Sequence, residues 1–253
     1  MLKMDKTQYV GITETSDPCF HLDIFDNLYD ANIIITKNLT PKLIEKLVEN
    51  KEKCILHMTV TGMGGSKIEP FVPEPIKMLD AVNKLVYDGF PVEQIVLRVD
   101  PIVPTEKGIE TALNTMLLFQ NIGITRLRVS FLDMYKHTKE RFIDNHIKIP
   151  YETFHSNENI RKEAFNKIYE YGIKMGYDII QTCGEPDFEN TPCISQMDID
   201  ILGLSDKITL EGNKQQRKNC GCPANKRQLI SWEQSKVKCG HNCLYCYMKD
   251  NKE

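Results

Sequence analysis

Residues 95–100, Ile95-Val96-Leu97-Arg98-Val99-Asp100, decide how the chain is read. They form an apolar, β-branched run of strand length that ends in charge, the mark of a buried strand. Amphipathic stretches of helix length lie on either side, at 75–88 and 108–121. The same alternation recurs along the chain. Further strands are predicted at 9–13, 32–36, 54–61, 126–130 and 178–182, and helices at 41–50 and 158–175, with a shorter one near 22–29. Pro41 and Pro75 suit a first helical turn, and Gly176 suits a helix stop. Regular βα alternation argues for a parallel sheet wrapped by helices. Six units are too few for a closed eight-stranded barrel and fit an open one. The expected fold is α/β: a partial (β/α)6 barrel over 1–204, then a cysteine-rich appendage over 205–253.

The 253 residues suffice for one substantial α/β domain plus that appendage. Hydrophobic content of 41% and charged content of 26% fit a globular protein. A net charge of −3 gives no global basic field for nucleic acid, and the basic stretch 207–227 is the one candidate surface. No apolar run has the length of a signal peptide or a membrane span, so a cytoplasmic location without membrane partners is expected. Of nine cysteines, seven follow residue 180. In a chain of this size they read as reduced thiols serving metal rather than as disulfides.

The run Cys239-Gly240-His241-Asn242-Cys243-Leu244-Tyr245-Cys246 puts three thiolates on one loop. Three can hold a [4Fe–4S] cubane by three corners and leave one iron open, whereas a closed zinc site wants four ligands. The rival is a zinc loop completed by His241 or a distant thiol. Upstream, Cys183, Cys193, Cys220 and Cys222 make four thiolates, the number for a second [4Fe–4S] cluster or a zinc site. Their plain alternative is small buried hydrophobes, which is also the reading of Cys19 and Cys54. His57 alternates within a strand and reads as packed. His137, His146 and His155 carry no motif. Met63-Gly64-Gly65-Ser66-Lys67 lacks the Gly-Lys-Ser/Thr ending of a phosphate loop and reads as a flexible loop over the site.

In a parallel βα barrel, reactive residues gather at the C-terminal strand ends. Those ends are Glu14-Thr15-Ser16-Asp17, Thr36-Lys37-Asn38, Thr59-Val60-Thr61-Gly62, Arg98-Val99-Asp100-Pro101, Ser130 to Asp133, and Cys183-Gly184-Glu185. Threonine and serine there can be helix caps. Lys37, Arg98 and Asp100 are costly at such ends unless paired or liganded. Purely structural ion pairs with Asp100 or Glu69 are the alternative for the two cations.

The cysteine spacing, with an aromatic residue before the third thiol, matches the radical S-adenosylmethionine (SAM) signature. Together with Thr36-Lys37-Asn38, Thr59-Val60-Thr61-Gly62, Ile68-Glu69-Pro70, Arg98-Val99-Asp100-Pro101-Ile102, Ser130 and Asp133-Met134-Tyr135, it resembles a radical SAM branch related to spore photoproduct lyase. The resemblance covers nearly the whole chain, and that branch also carries its cysteines at the C-terminal end. One departure is Thr13-Glu14-Thr15-Ser16-Asp17, where the branch has a basic pair in a Ser-Arg-Arg-Thr-Asp-like run.

The resemblance implies a partial barrel of radical SAM type with a cluster on Cys239, Cys243 and Cys246. SAM would bind the open iron. An electron from a low-potential donor such as flavodoxin or ferredoxin would cleave it to methionine and a 5′-deoxyadenosyl radical, which abstracts hydrogen from an unidentified substrate. A nucleotide or nucleic acid, a peptide and a small metabolite all fit. Lys37 and Arg98 would meet the SAM carboxylate and Asp100 or Asp133 the ribose hydroxyls, with Thr59, Thr61 and Ser130 in the same pocket. Tyr245 and Tyr247 would shield the cluster. No catalytic residue is assigned. The alternative class is a non-enzymatic zinc- or iron–sulfur-binding interaction protein.

Overall fold

The computed structural model describes residues 9–212, 220–235 and 239–248. Positions 213–219 of the basic stretch therefore lie outside the described residues. In chain order the elements are β1 (Val10–Ile12), β2 (Ala31–Thr36), α1 (Pro41–Glu49), β3 (Cys54–Thr59), α2 (Pro75–Tyr87), β4 (Ile95–Ile102), α3 (Glu106–Phe119) and β5 (Arg126–Phe131). They continue with α4 (Lys136–Asp144), α5 (Glu158–Lys174), β6 (Ile179–Thr182), α6 (Gln196–Ile201), β7 (Lys226–Gln228) and the short α7 (Trp232–Ser235). The helix expected near 22–29 is a 3-10 segment, Leu22–Asn27.

The strands form one parallel sheet in the order β6-β5-β4-β3-β2-β1-β7. From β1 to β6 each strand lies beside its successor with no reversal. Crossovers of one hand then place the connecting helices on one face. Leu56, Leu97 and Val129 of the sheet share an apolar core there with Leu43, Val82, Met116 and Ile168 of the helices. Thr40 and Thr105 start two of these helices, each side chain accepting a backbone N–H three residues on.

The opposite face changes character along its length. Val10, Ile12, Ile33, Ile55 and Val96 pack against Ile194, Ile199 and Ile208, which belong to the chain after β6. On the same side of β3, β4 and β5 lie His57, Arg98, Arg126 and Arg128, all buried. Period-two alternation fixes this: Leu97, Val99, Leu127 and Val129 face the helices, so their neighbours must face the other way.

Several elements depart from the sequence expectation, the short α6 and α7 among them. The segment assigned to the appendage contributes a seventh strand: β7 pairs in parallel with β1, Val10 opposite Lys226. Its three residues are polar, so no apolar run marks it. Helix α4 has only Thr138 and Phe142 buried and carries no apolar stripe, which hides it from a periodicity search. Among the described residues no helix is long and apolar enough to cross a membrane.

Candidate functional site

The C-terminal ends of β1 to β6 open into one cavity of about 660 Å³, and the cysteine triplet lies in its wall. Cys239, Cys243 and Cys246 reach it through a loop held at four points. Gly240 packs so closely on Phe20 that an added Cβ would stand 2.6 Å from the ring. That approach lets His241 reach the end of β1, where its Nε2 lies 2.8 Å from Asp17 Oδ2 and its Nδ1 3.3 Å from the Phe71 carbonyl. Asn242 then turns through the left-handed region at φ 53°, a conformation asparagine tolerates. Leu244 N donates to Ile68 O at 2.9 Å. Arg141, on α4, donates to the Leu244 and Cys246 carbonyls at 2.7 and 2.8 Å.

Tyr245 is the fourth anchor. Its hydroxyl donates to Glu69, a fully buried carboxylate that also accepts Thr61 Oγ1 at 2.6 Å and Lys37 Nζ at 3.0 Å. Burial alone would raise the Glu69 carboxyl, but Lys37 and the two hydroxyl donors hold it below its ordinary value. Burial likewise opposes the Lys37 ammonium, and the Glu69 carboxylate beside it outweighs this, so the lysine stays charged. Lys37 also sits 5.4 Å from the Tyr245 ring centre. Burial pushes the Cys243 thiol up to about 12, with Lys37 opposing and Glu69, Cys246 and Cys239 adding to it. A metal binding there must therefore release protons.

Across the cavity, Arg98 donates to Asp100, which also accepts the Ser130 hydroxyl. Asp133 pairs with His155 Nδ1 at 2.9 Å. Lys37, Thr59, Arg98, Asp100, Ser130 and Asp133 all line the cavity. Thr61 does not: its hydroxyl is spent on Glu69 behind the wall. Structural ion pairing, the alternative for both cations, is present as Lys37–Glu69 and Arg98–Asp100. Tyr247 lies near Tyr135, ring centres 6.2 Å apart.

The upstream thiols collect on the polar face of the sheet. Cys183 and Cys193 Sγ are 3.3 Å apart, and Cys222 Sγ lies within 4.8 Å of Cys193 Sγ. Cys220 is in the cavity wall, whereas Cys222 is fully buried behind it. Arg98 Nη1 approaches Cys193 Sγ at 3.9 Å and His57 Nδ1 at 3.4 Å. Burial, then Arg128 and Arg98, hold the His57 ring well below the usual histidine range, so it is neutral and packed. Cys54 is core, as read from the sequence. Cys19 is only partly so, since its thiol lies 3.9 Å from His241 Nε2.

Asp17, Glu69 and Arg141 are the residues that sequence reasoning did not assign to the site. Asp17 and Glu69 stand in quoted motifs. Arg141 carries no signal, because its partners are backbone carbonyls more than a hundred residues away.

Ligand spacing separates the thiol groups further. Among the described residues, two groups bring three ligand atoms within 4.8 Å of one another: Glu14 with Cys193 and Cys222, and Asp17 with Cys19 and His241. The triplet at 239, 243 and 246 belongs to neither.

No curated protein matches the chain. Residues 20–248 match the family described as a domain of unknown function, DUF1848, and the chain belongs to that family.

Proposed function

We propose that this protein is a radical SAM enzyme whose [4Fe–4S] cluster is held by Cys239, Cys243 and Cys246 at the mouth of a partial (β/α)6 barrel. The observation that carries the reading is the convergence of three thiols from one loop on a cavity touched by all six strand ends. In a flat sheet those ends would spread over roughly 24 Å, five steps of about 4.8 Å. One cavity reaching them all supports a sheet curved towards it.

Bound there together, a [4Fe–4S] cluster and SAM would supply one-electron reductive cleavage of the sulfonium C–S bond and, through it, hydrogen abstraction from substrate. The chain's own residues bind and orient. The Glu69 network fixes the triplet loop through Tyr245, and the Asp17–His241 contact fixes it from the other end. Arg98 and Lys37, each already paired with a carboxylate, offer N–H donors at the cavity wall for a SAM carboxylate, and Asp100 and Asp133 offer acceptors for ribose hydroxyls. The buried Leu132 and Phe131 exclude water from the same wall. The substrate class stays among nucleotide, peptide and small metabolite, and a cytoplasmic setting with a flavodoxin- or ferredoxin-like donor fits this chemistry.

The test is anaerobic reconstitution followed by reduction with dithionite in the presence of SAM. About four iron and four sulfide per triplet are expected, with 5′-deoxyadenosine formed by the wild type and lost in Cys243→Ala. A colourless protein that binds zinc alone and leaves SAM intact would return the chain to the non-enzymatic class.

A further inference from the structure

We propose that a single zinc-type divalent ion binds Cys193, Cys222 and Glu14, with Cys183 as the fourth ligand on the cavity side. The site is separate from the triplet and stands whether or not the triplet carries a cluster.

The first argument is size. A tetrahedral zinc site with Zn–S bonds of about 2.3 Å places its sulfurs about 3.8 Å apart. The Glu14, Cys193 and Cys222 ligand atoms lie within 4.8 Å of one another; Cys183 stands outside that group but brings its Sγ to 3.3 Å from Cys193 Sγ, so it must close in to complete the set. A cubane spaces its thiolates more widely, so this grouping suits one ion. It also exchanges a ligand of the four-thiol set: Glu14 comes in from the end of β1 and joins Cys193 and Cys222, a group that does not contain Cys220.

Charge is the second, independent argument. Arg128 is 1% exposed; among the described residues it bonds carbonyls alone, those of Thr191 and Pro192 at 3.1 and 2.7 Å, and its Nη2 has no hydrogen-bond partner there. A guanidinium buried this way wants an anion. Pro192, whose carbonyl holds this guanidinium, directly precedes Cys193. On the other side Lys226, also buried, pairs with Glu14 Oε2 at 2.6 Å. Three thiolates, one carboxylate and a divalent ion leave two net negative charges. Arg128 and Lys226 supply the two positive ones.

The Asp17, Cys19 and His241 group does not make the same case. Both Asp17 oxygens are already taken, by Cys19 N and Thr36 Oγ1 on one and by Lys37 N and His241 on the other.

Position supplies the role. Cys183 and Cys193 follow β6 at one edge of the sheet, whereas Glu14 follows β1 and Cys222 precedes β7 at the other. An ion there ties both edges together at the cavity wall, where Glu14, Cys183 and Cys193 lie.

Metal analysis of the full-length protein tests this. Wild type and the triple variant Cys239→Ser/Cys243→Ser/Cys246→Ser should each keep about one zinc per chain through a chelator wash, the triple variant having lost its iron. Cys193→Ser and Cys222→Ser should lose the zinc. Glu14→Gln should weaken its retention by about tenfold or more, and Cys220→Ser should leave it unchanged. If the cysteine variants do not fold, cobalt added to metal-free wild type should give the thiolate charge-transfer and visible bands of a tetrahedral site. Iron and sulfide surviving in the triple variant would overturn the proposal in favour of a second cluster. A Cys183–Cys193 disulfide without metal, or zinc insensitive to Cys193 and Cys222, would overturn it as well.

Discussion

Replacing Glu69 by glutamine keeps its shape and removes its charge. The carboxylate is fully buried and serves Lys37, Thr61 and Tyr245 at once. Removing one partner of a buried ion pair costs about 3–5 kcal/mol, because the other charge is stranded. The Lys37 side chain keeps 19% of its exposure, so water relieves part of this and about 3 kcal/mol is expected. For a chain of this length that lowers Tm by about 6–12 °C. Lys37→Met in the same molecule removes the stranded charge, so the double variant should regain most of the loss, with a coupling of about 2 kcal/mol. Urea unfolding followed by circular dichroism reads all four corners of the cycle. The pH dependence has a fixed sign. The folded-state carboxyl is held below its ordinary value, so the wild-type advantage is complete above the unfolded value near 4.3 and fades as pH falls through the lower folded value. If the two single losses simply add, or Glu69→Gln costs less than about 1 kcal/mol, the pair does not anchor the loop as argued.

Three further outcomes follow from the same packing. Asp198→Asn strips the buried Arg126 of its carboxylate and should cost about 3–5 kcal/mol in urea unfolding; a loss near zero would mean that Arg126 is satisfied by other groups. Gly11→Ala puts a methyl 2.3 Å from Asn32 Oδ1 and 2.8 Å from Leu229, and should cost about 1–3 kcal/mol by pushing β1 from its neighbours. Arg141→Met removes both donors to the Leu244 and Cys246 carbonyls; it should speed iron loss to a chelator while leaving the unfolding free energy from urea titration within about 0.5 kcal/mol of wild type, and unchanged iron loss would remove Arg141 from the site.

How much of this was legible depends on where each interaction is written. The six strands of the core were legible because each is an apolar run bounded by polar residues, and their ends named Lys37, Arg98, Asp100, Ser130 and Asp133 as cavity residues. The ion pairs of Lys37 and Arg98 were foreseen as alternatives, since a charge at a sheet end needs a partner. Strand β7 was not legible: Lys226-Arg227-Gln228 is polar and becomes a strand only by pairing with β1. Helix α4 was hidden because it buries so little. The meeting of Glu14 with Cys193 and Cys222 could not be read either, because it joins residues from opposite edges of the sheet and no spacing rule spans that distance. A cysteine pattern is local and chemical; a latch such as Arg141 on a carbonyl is neither.

The central claim is that the triplet leaves one iron open for SAM. The most direct measurement is electron–nuclear double resonance on the dithionite-reduced protein with SAM labelled by nitrogen-15 at its amino group. A nitrogen-15 coupling to the cluster, absent with unlabelled SAM and absent in Cys243→Ala, is the predicted result. A reduced cluster whose spectrum shows no coupling to bound SAM would contradict the account.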